Sequence, residues 1–188
     1  VSDANDNAPI IESSPVFSAV ENQTSIGTVT ATDADSSSIT FTVSGSELAI
    51  TSGGVLSFAS APDYETKASY TATVTASDGT NTTTQAITVN VTNVNDNSPV
   101  FTSSATFSAA ENQTSIGTVT ATDADSGDSI TFTVSGSELA ITSGGVLSFK
   151  TAADYETKST YTATVTASDG TNSTTQSITV NVTNVNDN

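Results

Sequence analysis

The amino-acid sequence predicts an all-β chain built as two tandem seven-stranded β-sandwiches. Three observations carry this: a near-literal internal repeat, a period-two alternation rich in Thr and Val, and turn residues between the alternating segments. Glu21 through Asp35 reads letter for letter as Glu111 through Asp125, an offset of 90, and Thr40 through Phe58 matches Thr131 through Phe149, an offset of 91. The inserted residue falls in a turn, where Ser36-Ser37-Ser38 gives way to Ser126-Gly127-Asp128-Ser129. Turns run over the surface and absorb insertions. The repeat thus sets two units of roughly 90 residues, each long enough for one core.

Within the first unit, strands are expected over 16–20, 28–32, 39–43, 48–51, 55–58, 70–76 and 87–91. Ile39, Phe41 and Val43 share a face, as do Tyr70, Ala72, Val74 and Ala76, and then Ile87, Val89 and Val91. Most residues on the opposite face are Thr, which suits a half-buried antiparallel strand. Ser52-Gly53-Gly54 supplies a hairpin between the fourth and fifth strands. No helical periodicity competes, so the architecture expected is an immunoglobulin-like Greek-key sandwich.

The units are joined by Asn93-Val94-Asn95-Asp96-Asn97-Ser98-Pro99, related to Asp3-Ala4-Asn5-Asp6-Asn7-Ala8-Pro9 and to Asn184-Val185-Asn186-Asp187-Asn188. Asn and Asp tolerate turn geometry, and the closing Pro resists strand pairing, so each run reads as a connector. The expected division is 1–97 and 98–188, with 1–8 belonging to the linker of a preceding repeat and 184–188 opening the next. Because the sequence starts and stops inside connectors, it is expected to be a piece of a longer array.

Composition narrows function. The chain carries 20 acids against three lysines, for a net charge of −17, which argues against nucleic acid and anionic membranes as partners and favours cations. It holds no Cys, His, Met or Trp. Disulfides, thiolate and imidazole metal sites, and catalysis relying on His or Cys are excluded, so any metal must be held by oxygen. No apolar run reaches the roughly 20 residues of a membrane helix, so no membrane insertion by this segment is expected.

The acids concentrate at strand ends. In the first unit they are Glu21, Asp33 with Asp35, Asp63 with Glu65, and Asp78; in the second, Glu111, Asp123 with Asp125, Asp154 with Glu156, and Asp169. The connectors add Asp3, Asp6, Asp96 and Asp187, leaving only Glu12, Glu47, Asp128 and Glu138 outside these positions. A merely solvated acidic surface would not place its charges this way.

These motifs stand as Glu21-Asn22, Asp33-Ala34-Asp35, Asp63-Tyr64-Glu65, Ala76-Ser77-Asp78-Gly79 and the Asn93 to Pro99 connector, and all recur in the second unit. In that order they resemble the signature of the cadherin repeat, over nearly the whole chain. The near-identity of the copies and their Thr/Ser-rich, Arg-free composition look most like the cadherin-like arrays of large bacterial surface adhesins. The resemblance implies a cadherin/immunoglobulin-like fold joined by a calcium-binding linker, with about three Ca²⁺ at the central junction. Their ligands would be Glu21, Asp63 and Glu65, the Val94 and Asn97 carbonyls, the side chains of Asn95 and Asp96, and Asp123, Asp125 and Asp169. Asn5, Asn7, Asp33, Asp35 and Asp78 would retain one ion at an N-terminal half site. Glu111, Asp154, Glu156 and Asp187 would form a weaker C-terminal half site.

Two departures from the family pattern matter. The first connector Asp is replaced by Asn93, and by Asn184 at the end, although Asp3 keeps it. An amide oxygen carries no charge, so the middle ion of the junction is expected to bind more weakly. The turn after Asp123-Ala124-Asp125 is also short, and a carbonyl from Gly127 to Ser129 is the expected replacement in the third ion's shell.

The function expected is a calcium-rigidified stalk segment of a cell-surface adhesin, extracellular, with neighbouring repeats of the same chain as its partners. The alternative is that the repeats themselves bind a homophilic or glycan partner. Few aromatics are available as stacking platforms, because Tyr64, Tyr70, Tyr155 and Tyr161 are the only tyrosines. An enzyme is not expected: pairs such as Asp63 with Glu65 recur in both copies and imply no pocket.

Overall fold

The structure is a computed structural model that describes residues 4–36 and 38–186. Asp187, expected at the C-terminal half site, and Asp3 lie outside the described residues. The chain divides into two compact units that meet in sequence at Val94 and Asn95. Among the described residues there is no helix, and so none long and apolar enough to cross a membrane.

The first unit contains β1 (Ile10–Ile11), β2 (Val16–Val20), β3 (Ser25–Thr28), β4 (Ala31–Thr32), β5 (Thr40–Val43), β6 (Leu48–Ile50), β7 (Val55–Phe58), β8 (Ser69–Ser77) and β9 (Thr82–Thr92). One sheet runs β2-β9-β8-β5, a second runs β3-β7-β6, and β1 pairs with β4. Every neighbour is antiparallel except β2, which lies parallel to β9 with Val16 opposite Thr88 and Val20 opposite Thr92. The second unit repeats this as β10 (Val100–Phe101), β11 (Thr106–Ala110), β12 (Ser115–Thr118), β13 (Ala121–Thr122), β14 (Thr131–Val134), β15 (Leu139–Ile141), β16 (Val146–Phe149), β17 (Thr160–Ser168) and β18 (Ser173–Thr183), with the same pairings.

The predicted all-β sandwich is present, and its seven expected strand positions are filled. Each unit has nine segments because the run expected over 28–32 is cut in two and a short strand not expected from the sequence, β1 or β10, precedes the set. Thr28 still pairs with β7, whereas Ala31 and Thr32 have left that sheet to pair with Ile11 and Ile10. The cut falls at Val29, which is 1% exposed and whose N–H donates to the Gly54 carbonyl at 2.8 Å. Burying Val29 holds the corner while the chain changes sheets. The approach also requires glycine opposite: Gly54 has φ +88°, and a Cβ there would sit 2.2 Å from the Val29 carbonyl oxygen. Gly145 and Val119 reproduce this in the second unit, again at 2.2 Å.

The alternation read from the sequence is the alternation that packs. Val74 and Ala76 of β8, Ile87, Val89 and Val91 of β9, and Phe41 of β5 are buried against Leu48, Leu56 and Phe58 from the other sheet. Each fully buried Val, Leu, Ile or Phe contributes about 1.5–3 kcal/mol. Phe58 also meets Tyr70 edge-on at 5.0 Å between centroids. Lys67 lies 4.5 Å above the Tyr70 ring while pairing with Glu47 at 2.5 Å. The lysine therefore caps the core edge rather than standing free in solvent.

What positions the acids is the length of β9 and β18. Each runs 11 residues, about 35 Å at the usual rise per residue, from one end of its unit to the other. Asp78 precedes the start of β9 and Glu21 abuts its finish. Each unit therefore carries an Asp-rich end and a Glu-rich end.

Candidate metal centres

The Asp end of the first unit is assembled from three turns. Asp33 follows β4, and its Oδ1 accepts the N–H groups of Asp35 and Ser36, both at 3.0 Å. Asp35 Oδ2 accepts the N–H of Asn7 at 2.9 Å and of Asp6 at 3.0 Å, and the Asn7 side-chain amide at 2.7 Å. Asp78 Oδ1 accepts from the N–H groups of Thr80 at 2.6 Å and Asn81 at 2.7 Å. Short polar side chains bind nearby backbone in this way where strands end. The result brings one oxygen from each of Asp33, Asp35 and Asp78 within 4.8 Å of the others.

These bonds hold the anionic forms. The Asn7 backbone N–H, with its side-chain amide, keeps the Asp35 carboxyl far below the usual carboxylate range, and the N–H of Asn81, with that of Thr80, lowers Asp78. In the second unit burial works against ionisation of Asp169, but the N–H groups of Asn172 and Thr171 outweigh it and its pKa is lowered.

The second unit builds its Asp end from the linker residues expected as ligands. Asp125 is 4% exposed. Its Oδ2 accepts the N–H of Asn97 at 2.8 Å and of Asp96 at 3.1 Å, and its Oδ1 accepts the Asn97 side-chain amide at 3.1 Å. Asp123 Oδ1 accepts the Asp125 N–H at 3.0 Å. Asn172 donates its amide to the Asn97 carbonyl and to Asn95 Oδ1, each at 2.7 Å. These bonds are why Asn95, Asp96 and Asn97 fold with the unit that follows them.

The carboxylates that come within 4.8 Å of one another here are Asp123, Asp125 and Asp128. Asp128 is a correction to the sequence reading, which left it outside the clusters. Gly127, at φ +96°, reverses the inserted turn and returns Asp128 to the group. Desolvation, followed by the charges of Asp125, Asp169 and Asp123, raises the Asp128 pKa.

The Glu ends are built differently. Glu21 follows β2 and is 3% exposed; its Oε2 accepts the Tyr64 N–H at 2.7 Å and its Oε1 the Val94 N–H at 2.7 Å. Asn22 turns the chain there at φ 62°, with its N–H on the Pro62 carbonyl at 3.0 Å, which sets Glu21 beside the Asp63 turn. Asp63 accepts the Thr66 N–H at 3.1 Å and the Thr66 hydroxyl at 2.7 Å, and the hydroxyl is the main cause of its lowered pKa. A Glu65 oxygen lies within 4.8 Å of a Glu21 oxygen.

Glu111, 4% exposed, repeats the clamp with Tyr155 at 2.8 Å and Val185 at 2.6 Å. Asp154 is held by Thr157, whose hydroxyl is again the main cause of the lowered pKa. Glu111, Asp154 and Glu156 present oxygens within 4.8 Å of one another.

Asp33 Oδ2, Asp123 Oδ2 and Asp169 Oδ2 are buried oxygens that accept no hydrogen bond among the described residues. Burying an anionic oxygen without a donor is costly. A divalent cation removes that cost, and the all-oxygen donor set suits Ca²⁺ rather than a softer metal. The Asn5 amide lies 3.1 Å from Asp35 Oδ1 and 3.0 Å from Asp78 Oδ2, where its NH₂ donates to both and ties the first connector to this end. The residues present therefore fit calcium at the Asp ends.

Sequence reasoning missed Asn81 and Asn172, which tie the linker carbonyls to the Asp78 and Asp169 turns, and the Thr66 and Thr157 hydroxyls. The available signal was their recurrence three residues after an acid in both copies.

Comparison with known proteins identifies the architecture. Residues 104–183 match the family model of the cadherin domain. The human cadherin EGF LAG seven-pass G-type receptor 1 is 34% identical over 191 residues, covering 90% of this chain and 6% of the receptor. Human protocadherin Fat 4 is 36% identical over 192 residues, covering 89% of this chain and 4% of its own length. The chain thus spans only a small fraction of these relatives.

Among solved structures, mouse cadherin-23 EC22-24 aligns with a TM-score of 0.82 at 26% identity, covering 97% of this chain and 68% of that one. Extracellular cadherin domains 3-6 of protocadherin gamma B2 align at 0.83 and 27% identity, covering 99% and 52%. The relatives named here with an organism are animal proteins, so the bacterial part of the expected resemblance draws no support from them. Cadherin-repeat adhesion proteins are not enzymes, in keeping with the expectation for this chain. The cadherin match over residues 104–183, the near-literal copy of that unit in residues 1–94, and the solved cadherin structures together support cadherin domains as what this chain is made of.

Proposed function

We propose that this chain is an extracellular segment of a cell-surface adhesion protein in which Ca²⁺ bound where the repeats join fixes inter-repeat geometry. The ligand set is Glu21, Asp63 and Glu65 from the first unit, Val94, Asn95, Asp96 and Asn97 from the linker, and Asp123, Asp125 and Asp169 from the second. About three ions lie at the junction, one at the N-terminal half site through Asn5, Asn7, Asp33, Asp35 and Asp78, and weaker binding occurs through Glu111, Asp154 and Glu156. The observation that carries the reading is the pair of buried donorless oxygens on Asp123 and Asp169, in a unit whose Asn172 holds the linker residues Asn95 and Asn97 beside them.

Bound calcium supplies charge neutralisation and oxygen coordination. The protein's own hydrogen bonds aim the carboxylates and favour the ionised form of Asp63 and Asp169 at the junction and of Asp35, Asp78 and Asp154 at the half sites. Extracellular modules bind calcium at roughly 10⁻⁴ to 10⁻³ M, so millimolar external calcium occupies such sites. Asn93 in place of Asp makes the middle ion bind more weakly than the family norm. The bacterial-surface assignment rests only on composition and on the near-identity of the two copies.

Small-angle scattering of the full chain with calcium and with chelator tests the proposal, with Asp96→Ala as control. A maximum dimension and flexibility that do not respond to calcium would end it. A second reading, association with another copy, is favoured by one similar structure, protocadherin gammaB7 EC3-6, described as a cis dimer, at 29% identity and a TM-score of 0.83. Sedimentation velocity in calcium separates the two, since a stalk segment acting alone stays monomeric.

A further inference from the structure

The two Asp ends differ in one respect that their near-identical sequences conceal. The first unit has Ser36, Ser37 and Ser38 in the turn after Asp35, whereas the second has Ser126, Gly127, Asp128 and Ser129 after Asp125. The added residue comes with an added carboxylate, and the left-handed conformation of Gly127 folds that carboxylate back. Nothing lies within 4 Å of where a Gly127 Cβ would be. Glycine is thus needed for the backbone conformation and not for space.

Asp128 is an exposed side chain free to point into water. It instead places an oxygen within 4.8 Å of oxygens of Asp123 and Asp125. Asp128 accepts no hydrogen bond from any described residue, and its electrostatic neighbours are the acids Asp125, Asp169 and Asp123. Facing like charges without a donor is unfavourable unless a cation lies among them. Oxygens bound to one Ca²⁺ at 2.3–2.6 Å lie at most about 5 Å apart, so the spacing is that of ligands sharing an ion. The buried donorless Oδ2 atoms of Asp123 and Asp169 independently mark the same group as short of positive charge.

We propose that the Asp128 carboxylate is a direct ligand of the calcium ion at the Asp end of the second unit, a ligand the first unit lacks. It replaces the backbone carbonyl that the short turn was expected to offer, and it makes the two Asp ends unequal in affinity. The inference rests on reading the Asp ends as calcium sites.

The test is calorimetric titration of calcium into the full two-unit chain, freed of metal by chelator, beside Asp128→Asn and Asp128→Ser. Asn keeps the shape of the side chain, and Ser reproduces the first unit's chemistry. One class of site is expected to weaken by about tenfold in both variants while the others hold, because ligand charge tunes affinity. Luminescence decay of bound Tb³⁺ in H₂O and D₂O gives the second readout: Asp128→Ser should add about one coordinated water per affected ion. Unchanged affinity overturns the proposal. So does a weakened site with an unchanged water count, which would mean that Asp128 acts only through its field. A wild-type chain that takes up no calcium would overturn the reading beneath it as well.

Discussion

The Glu end and the Asp end of each unit solve the same electrostatic problem in different ways. At the Glu end, both oxygens of Glu21 and of Glu111 are taken up by backbone N–H groups, so the buried charge is satisfied by the protein itself. At the Asp end, hydrogen bonds satisfy one oxygen of Asp123 and of Asp169 and leave the other buried without a donor. The buried glutamates are satisfied as folded, whereas Asp123 and Asp169 each keep a buried oxygen with no donor. Stability without calcium should therefore depend more on Glu21 and Glu111 than on Asp123 and Asp169, which should matter chiefly to the gain on adding calcium.

The largest effect that can break this comparison is removal of calcium. Each ion present at 100 times its dissociation constant adds about 2.7 kcal/mol to the folded state. Chelation should therefore lower the melting temperature and speed proteolysis in the linker, as read by calorimetry and by limited digestion. Next comes Glu111→Ala, which leaves the Tyr155 and Val185 N–H groups without their acceptor. It should cost about 3 kcal/mol in chelator, read from urea midpoints. Asp123→Asn, which keeps the oxygen that accepts the Asp125 N–H, should leave the midpoint in chelator nearly unchanged and remove part of the calcium-dependent gain. If the two variants exchange these signatures, the assignment of roles to the two ends is wrong.

Acid sharpens the comparison further. Asp35, Asp63, Asp78, Asp154 and Asp169 have folded pKa values below the reference of 3.8. A depressed folded pKa gives stability that is fully present above the unfolded value and is lost as pH falls through the folded one. In chelator, urea midpoints should hold down to about pH 4 and drop below it. The smallest effect is that of Thr66→Val, which removes the hydroxyl bonded to Asp63 and should move the acid transition slightly toward neutral pH.

Much of this was legible in the sequence because it is periodic or repeated. The alternation of Tyr70, Ala72, Val74 and Ala76 gave β8 its buried face, and acids recurring at strand ends marked both ends of each unit. What escaped depends on backbone direction. The break at Val29 arises because one strand changes partners at a glycine that approaches from another hairpin, a contact no local pattern encodes. Asp128 escaped because its place is set by the reversal at Gly127, not by its spacing from Asp125. The Glu21 clamp escaped in part, since a motif shows that an acid is present but not that two N–H groups already hold it.

The parallel pairing of β2 with β9 has a mechanical consequence. Both strands run in the same direction, one near the entry of the unit and the other at its exit, so tension applied through the chain's ends slides them past each other. Their five paired residues must then yield together, as in shear, rather than one after another as in an unzipping hairpin. A repeat wired this way meets a pull along its own axis with β2 and β9 loaded side by side.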